Sequence, residues 1–133
     1  MIGFSDEVRQ VIDNLLLNAL EATPPGGRLR VSVHPSRNWA NQWQEGSRLT
    51  IADTGSGIPK ENLSKIFEPF FTTKPEKGTG LGLWVVRGIV AKHDGNITVR
   101  SSEEKRRGTV ISVLWPSTSH NNRAAFSQTG SAA

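Results

Sequence analysis

The stretch Gln10-Val-Ile-Asp-Asn14-Leu-Leu-Leu-Asn18-Ala-Leu-Glu21-Ala22 predicts a helix that carries two asparagines one turn apart. Apolar side chains recur at helical spacing from residue 5 to about residue 22. They are Val8, Val11, Ile12, Leu15, Ala19 and Ala22. Ser5 is a suitable N-cap, and the run Pro24-Pro25-Gly26-Gly27 ends the helix.

The polar residues of this helix fall on one narrow stripe, opposite its main apolar face. They are Glu7, Gln10, Asn14, Asn18 and Glu21. A solvated face would normally use Lys, Glu or Arg, and asparagine costs roughly half a kcal/mol relative to alanine in a helix. Two asparagines in mid-helix therefore favour a function over solvation. Because Mg²⁺ takes hard oxygen ligands and shares substrate phosphates, the amide oxygen of Asn18 is a candidate metal ligand.

Further along, Asp53-Thr-Gly55-Ser-Gly57 ends a predicted strand and opens a glycine turn. Aspartate before glycine is common in ordinary turns, so a purely structural role stays open. In the functional interpretation, the rigid carboxylate of Asp53 accepts a hydrogen bond from an exocyclic amine. Gly55 and Gly57 would let a flat base approach the backbone. Such a site would prefer adenine to guanine.

A second glycine motif, Gly78-Thr-Gly80-Leu-Gly82-Leu83, precedes a predicted helix, whose N-terminus and amides can hold phosphate. It is neither a Walker loop nor a dinucleotide fingerprint, because the spacing differs from both. With the asparagine helix and Asp53, it completes the components of a Mg-ATP site: an amide oxygen, an amine acceptor and a phosphate cradle.

The remaining pattern predicts an α+β fold, a two-layer sandwich with a mostly antiparallel sheet and helices on one face. Strands are expected at residues 28–34 and 49–52, joined by a long connection at residues 35–46 that contains Trp39 and Trp43. A short helix is expected at residues 59–66 and an irregular segment at residues 67–80. A second helix runs from about Leu81 to a glycine cap at Gly95. Two more strands flank a turn near Gly108, and Pro116 ends the last one.

Length and composition fit one globular domain at residues 1–116, followed by a disordered tail or linker at residues 117–133. The net charge of +4 suggests nucleic acid, but the basic residues are scattered, and we expect no nucleic-acid binding. No apolar run reaches the roughly 18 residues of a membrane helix. The absence of cysteine excludes disulfides and thiolate metal sites.

Five ordered blocks resemble the histidine kinase ATP-binding domain of the gyrase, chaperone, histidine kinase and mismatch-repair ATPase superfamily, the Bergerat fold. The resemblance covers nearly residues 5–116. The blocks are Asn14-Leu-Leu-Leu-Asn18-Ala (N box), Asp53-Thr-Gly-Ser-Gly57 (first glycine box), Ile66-Phe67-Glu-Pro-Phe70-Phe71 (F box), Gly78-Thr-Gly80-Leu-Gly82-Leu (second glycine box) and Gly108-Thr109. The string Phe70-Phe71-Thr72-Thr73-Lys74 is similar to sensor kinases of the nitrogen-regulation type.

The resemblance implies that Asn18 binds Mg²⁺, that Asp53 binds the adenine amine, and that residues 67–80 form a lid over the nucleotide. Lys74 would approach the terminal phosphate, although a lone lysine beside proline is also an ordinary surface residue. The implied nucleotide contacts are Asn18, Asp53, Gly55, Gly57, Ile58, Phe67, Thr73, Gly78, Thr79, Gly80, Leu81, Gly82, Leu83 and Thr109.

Water-hydrolysing members of this superfamily place a glutamate four residues before the metal asparagine, where it acts as a general base. Asn14 occupies that position here. The resemblance therefore implies a kinase, with Asn14 and Lys74 at the reacting phosphate and a histidine on a separate dimerisation domain as acceptor. None of His34, His93 and His120 is a good acceptor candidate. The chain looks like the catalytic fragment of a longer sensor kinase.

Further expectations follow from this resemblance. The isolated domain would be monomeric and cytoplasmic, in a bacterial parent protein that is free to be membrane-anchored, with a response regulator downstream. Two alternatives stay open: an ATPase that couples hydrolysis to conformational change, and a module that senses ADP or ATP without chemistry. A serine kinase that antagonises sigma factors shares the fold, but its expected lid differs.

Overall fold

The structure, a computed structural model, describes residues 4–37, 45–72, 80–104 and 106–116. The elements run in the order α1 (Phe4–Ala22), β1 (Leu29–Arg37), β2 (Glu45–Asp53), α2 (Lys60–Leu63), α3 (Gly82–Lys92), β3 (Asn96–Ser102) and β4 (Gly108–Pro116). The described strands form one sheet in the order β1-β2-β4-β3, and each neighbouring pair is antiparallel. The predicted α+β sandwich is therefore confirmed.

Two hairpins, β1-β2 and β3-β4, join through the central pairing of β2 with β4. Their inward side chains alternate with outward ones, as a sheet with one covered face requires. Helices α1 and α3 pack against each other, α1 on β2 and α3 on β3. The buried core comprises Val11, Leu15, Ala19, Leu49, Ile51, Val86, Ile89, Val90, Ile111, Val113 and Trp115.

Strand β1 lies at the edge of the sheet, and its apolar side chains are less buried than their alternation predicted. Val31 and Val33 lie opposite the buried Ile51 and Leu49, on the side of the helices. They nevertheless stay 47% and 65% exposed, because α1 packs on β2. The alternation in the sequence therefore predicted which face of β1 points toward the helices, but not how much of that face the helices bury.

Several predicted boundaries were wrong by a few residues. Helix α1 already includes Phe4, so Ser5 lies in its first turn and is not the N-cap. The two strands of the β1-β2 hairpin are longer than predicted. Backbone pairing continues through Pro35 to Arg37 on β1, and β2 already begins at Glu45. The predicted helix at residues 59–66 is helical only over Lys60–Leu63. Trp39, Trp43 and the tail at residues 117–133 lie outside the described residues.

The glycine cap of the second helix also differs from the expected form. Asp94 adopts the left-handed conformation, with φ of 58°. The N–H of Gly95 then donates to the carbonyl of Val90 at 2.8 Å. A Cβ on Gly95 would lie 2.6 Å from the carbonyl oxygen of Leu114, so this glycine serves close packing of α3 against β4.

A buried carboxylate ties the start of α1 to the end of α3. Glu7 is only 7% exposed. Lys92 Nζ donates to both of its oxygens, at 3.0 and 3.2 Å, and His93 Nε2 lies 3.2 Å from Oε1. The hydrogen bond from Lys92 holds the pKa of Glu7 below its ordinary value of 4.5, against the opposing effect of burial, and the contact with His93 lowers it further. The first residue of the polar stripe therefore has a structural role.

We expect Glu7→Gln to lower the melting temperature at pH 7. A carboxyl whose pKa is depressed on folding stabilises the fold above its unfolded value near 4.5, and this stabilisation is lost as the pH falls through the lowered value. The difference between variant and wild type should therefore shrink in strongly acidic solution. Calorimetric melting across pH 2 to 7, a range set by the carboxyl titration, measures it.

Asp13→Asn is the matched control, because Asp13 is exposed on the same helix and forms no ion pair with any described residue. Its effect should be small at every pH. A Glu7→Gln penalty that stays constant down to the acid limit would contradict a role for the charge.

Candidate nucleotide site

Three polar side chains stand in a row across the sheet at the end where β2 finishes. Asp53 of β2 is paired with Thr109 of β4, and Thr109 is paired with Ser101 of β3. Directly paired residues in antiparallel strands project to the same face and lie about 5 Å apart. The sheet therefore places a carboxylate and two hydroxyls side by side on the face that carries the helices.

The carboxylate of Asp53 is held in place by the turn that follows it. The N–H of Gly55 donates to Asp53 Oδ1 at 2.9 Å. Within the described parts of the chain, the second oxygen of Asp53 has no hydrogen bond. The hydrogen bond to Oδ1 thus fixes the orientation of the carboxylate, and the second oxygen can accept a hydrogen bond from a ligand. Recognition of an amine by this carboxylate stays a prediction.

The first glycine box is packed closely against the β3-β4 hairpin. Gly57 has φ of +80°, and a Cβ there would collide with the carbonyl oxygen of Ser102. The next residue, Ile58, donates its N–H to Ser101 Oγ at 2.7 Å. Both the left-handed conformation and the close approach explain why glycine stands at position 57.

Sequence reasoning missed Ser101. Besides the amide of Ile58, its hydroxyl contacts the carbonyl of Gly108 at 3.1 Å and Thr109 Oγ1 at 2.9 Å. Thr109 itself is 6% exposed. The available signal was the alternation of β3, because Ile97 and Val99 point inward and the next inward position is a serine. A polar residue that continues an apolar face needs a partner.

The asparagine Asn14 of α1 faces α3. Asn14 Nδ2 donates to the carbonyl of Gly82, the first residue of α3, at 3.2 Å. Asn18 lies one turn further along the same flank and is half-buried. The polar stripe is therefore beside the apolar face, not opposite it as predicted. Leu17 and Leu20, which are 56% and 59% exposed, lie further from the core side.

Two described residues of the predicted lid, Phe70 and Gly80, are joined by their backbones. The N–H of Phe70 donates to the carbonyl of Gly80 at 3.0 Å. Both residues have positive φ, 67° for Phe70 and 75° for Gly80. Non-glycine residues in this region cluster at functional sites because the conformation is costly. In the sequence, Thr73, Lys74, Gly78 and Thr79 fall between Phe70 and Gly80 and lie outside the described residues.

The other expected contacts lie close to Phe70 and Gly80 in the sequence. Leu81 precedes α3, Gly82 begins it, and Leu83 packs against the core. Phe67 is half-buried next to the buried Ile66. The start of α3 thus contacts Asn14 and follows Gly80 by two residues. The helix amides there could face a phosphate, as the motif predicted.

Comparison with known proteins places the chain in a family. The family model for "Histidine kinase-, DNA gyrase B-, and HSP90-like ATPase" matches residues 3–119. Sporulation kinase A of Bacillus subtilis is 40% identical over 114 residues, which are 86% of this chain and 17% of that protein. The sensor histidine kinase ZraS of Escherichia coli strain K12 is 43% identical over 111 residues, 84% of this chain and 22% of ZraS.

Solved structures agree. The mycobacterial sensor histidine kinase MprB matches with a TM-score of 0.72 and 34% identity, over 86% of this chain and 72% of that chain. The catalytic domain of the histidine kinase ThkA matches with a TM-score of 0.66 and 35% identity, over 83% and 66%. The chain belongs to the histidine kinase-, gyrase B- and HSP90-like ATPase family.

Within this family, the fold and sequence are those of the ATP-binding catalytic domain of a sensor histidine kinase. The chain spans about a fifth of the length of the curated relatives named above. In the described parts, no helix is long and apolar enough to cross a membrane.

The histidines of this ATPase-family chain differ in environment. His93 lies at the end of α3 and its side chain is 15% exposed, in contact with Glu7. His34 is exposed on β1, and His120 lies outside the described residues. No group of three or more His, Asp or Glu side chains that could hold a metal occurs in the described ranges.

We expect Gly80→Ala to lower the free energy of unfolding by about 1–3 kcal/mol, the usual cost of a strained conformation. The added Cβ would lie 2.5 Å from the carbonyl carbon of Phe70, at a residue with φ of +75°. Urea unfolding of the chain followed by circular dichroism measures the change.

Gly88→Ala is the matched control. Gly88 lies in the middle of α3, and an added Cβ there would meet no atom within 4 Å. Helix propensity should then raise stability by up to about 1 kcal/mol. Equal stability of the Gly80 variant and wild type would contradict the close backbone contact between Phe70 and Gly80.

Proposed function

We propose that this domain binds Mg-ATP and transfers the γ-phosphate to a histidine on a separate dimerisation domain. The observation that carries the proposal is the rigid carboxylate of Asp53, with one oxygen held by Gly55 and its partner strand presenting Thr109 beside it. An acceptor pair of this kind suits the exocyclic amine of adenine. Family membership supports ATP as the nucleotide.

The phosphate end of the site would lie at the start of α3. Gly82 begins this helix, and Asn14 fixes its first carbonyl. Amides at a helix N-terminus attract negative charge, so the triphosphate would extend from Asp53 toward Gly82. We assign the contacts of Gly55, Gly57, Ile58, Phe67, Thr73, Gly78, Thr79, Gly80, Leu81, Gly82, Leu83 and Thr109 to the nucleotide on this basis.

Asn18 would hold the magnesium ion. Its amide is half-buried on the flank of α1 that faces α3, and it has no hydrogen bond to another described side chain or backbone group. A neutral oxygen ligand suits Mg²⁺, which keeps several waters and shares substrate phosphates. When bound, the ion would supply charge neutralisation at the phosphates. Lys74 would add a second positive charge near the terminal phosphate.

Asn14 favours phosphoryl transfer over hydrolysis. Its amide donates to Gly82 at 3.2 Å, and an amide has no basic site that could take a proton from water. A general base at this position would need a carboxylate or imidazole. The γ-phosphate would therefore stay on ATP until the acceptor histidine is present. Asn14 would help to position this phosphate. Among the described histidines, His93 is in contact with Glu7.

The wider assignments follow from the family. A response regulator would receive the phosphate from the acceptor histidine, as in two-component systems. The domain would be monomeric when isolated, would act in the cytoplasm of a bacterium, and would bind no nucleic acid. The parent protein would carry the sensing region and, in some arrangements, a membrane anchor.

Asp53→Asn should weaken ADP binding roughly 10- to 150-fold, because hydrogen bonds to a charged group contribute about 1.5–3 kcal/mol. The amide replaces an acceptor with a mixed group that can oppose the adenine amine. Calorimetric titration with ADP and magnesium measures the affinity. Affinity retained within a factor of two would reject the role of Asp53, and no binding by folded wild type would reject the proposed nucleotide site.

Transfer is tested by mixing the chain with γ-labelled ATP, magnesium and the separately purified dimerisation domain of the parent gene. We expect acid-labile phosphohistidine on the acceptor, and little free phosphate without it. Asn18→Ala should slow the transfer, and its nucleotide affinity should lose most of the dependence on magnesium. Asp13→Asn serves as the control on the same helix.

Two outcomes would favour the other interpretations. Steady release of phosphate over many turnovers without an acceptor would indicate a hydrolase. Tight ADP binding with no phosphohistidine under any of these conditions would indicate a nucleotide-sensing module. Unchanged magnesium dependence in Asn18→Ala would contradict the metal assignment alone.

A further inference from the structure

Ser101 occupies a position that fixes how its neighbours can bond. Its hydroxyl oxygen lies 2.7 Å from the N of Ile58, 3.1 Å from the O of Gly108 and 2.9 Å from Thr109 Oγ1. Ser101 lies directly beside Thr109 in the sheet, and Thr109 lies directly beside Asp53. Ser101 is thus one side chain removed from the carboxylate proposed to bind adenine.

The chemistry of these partners leaves one arrangement of protons. A serine hydroxyl has one proton to donate and two lone pairs to accept with. The amide of Ile58 can only donate, and the carbonyl of Gly108 can only accept. The arrangement that satisfies all three contacts gives the single proton of Ser101 to Gly108, and the hydroxyl of Thr109 then donates to Ser101. All three positions of the Ser101 hydroxyl are then used.

The consequence falls on Thr109. Its only hydroxyl proton is taken by Ser101, so toward any other group its oxygen can act only as an acceptor. The carboxylate of Asp53 on the paired strand is likewise an acceptor when ionised. Asp53 and Thr109 therefore offer only hydrogen-bond acceptors where the purine would bind. The exocyclic amine of adenine, directly or through a water, can donate to such a pair, whereas the corresponding carbonyl of guanine cannot.

We propose that Ser101 is a positioning residue that sets the preference of the site for adenine over guanine, by holding the Thr109 hydroxyl as an acceptor. The inference rests on the proposed nucleotide site and assigns a determinant of its specificity. Ser101 also anchors the first glycine box through Ile58, so the same side chain joins the turn after Asp53 to the β3-β4 hairpin.

The test is a comparison of Ser101→Thr with Ser101→Val. The two side chains have nearly the same shape, and both favour strands, but only threonine keeps the hydroxyl. Calorimetric titration of each variant with ADP and with GDP, in magnesium, gives the ratio of the two affinities. Melting temperatures establish that each variant is folded.

We expect Ser101→Thr to keep the wild-type ratio. Ser101→Val should lower the preference for ADP over GDP by about two- to tenfold, the range that one neutral hydrogen bond controls. The freed hydroxyl of Thr109 can then turn its proton toward the carbonyl of GDP. Should the valine variant fail to fold, Ser101→Ala gives the same comparison with a smaller side chain.

Ser112→Ala is the matched control. Ser112 lies on β4 with its hydroxyl paired to Thr50, on the sheet face away from the helices. Its loss also removes one hydroxyl pair from the sheet, but the ADP-to-GDP ratio should not change.

The outcomes separate the two proposals. If ADP and GDP affinities of Ser101→Val fall by the same factor, or do not change, Ser101 has only a structural role and the inference is wrong, while the nucleotide site stands. If folded wild type binds neither nucleotide, or binds both equally, the proposed adenine site itself is wrong and this inference falls with it.

Discussion

The site depends on the antiparallel pairing of β2 with β4. This pairing joins two local hairpins into one sheet, and its last rung places Asp53 beside Thr109. The two residues are 56 positions apart in the chain, so only the register of these strands brings them together. A slip of one residue would turn every inward side chain of one strand outward. The buried Ile51, Ile111 and Val113 oppose such a slip.

In the helix layer, contacts at both ends of α3 fix it relative to α1. Near the start of α1, Glu7 is bonded to Lys92 and His93 at the end of α3. In the middle of α1, Asn14 is bonded to Gly82 at the start of α3. The antiparallel helices are therefore fixed to each other at two points with the apolar core between them. Rotation of α1 about its axis would break one of these contacts, so the direction in which Asn18 faces is determined.

Much of this arrangement could be predicted from the sequence. Apolar spacing identified both long helices, and alternation identified the strands, because burial on one face imposes those periods. Asp53 and the glycine motifs were found because turn and ligand chemistry use few residue types. The family itself was recognisable from five ordered motifs.

Other features depend on distant contacts that local patterns do not contain. Glu7 was placed in a polar stripe, but its partners Lys92 and His93 are supplied by the tertiary fold. The exposure of Val31 and Val33 depends on where α1 packs. Ser101 has no motif, because its role comes from groups on three separate elements that the sheet brings within hydrogen-bond distance.

The edge strand β1 has a consequence for assembly. Its outer backbone groups and the two exposed valines form a surface onto which another extended segment can add by main-chain pairing. Proline at position 35 has no N–H to donate, and Arg30 places a positive charge on this strand. Like charges at this position therefore oppose the pairing of β1 with a second copy of the same strand.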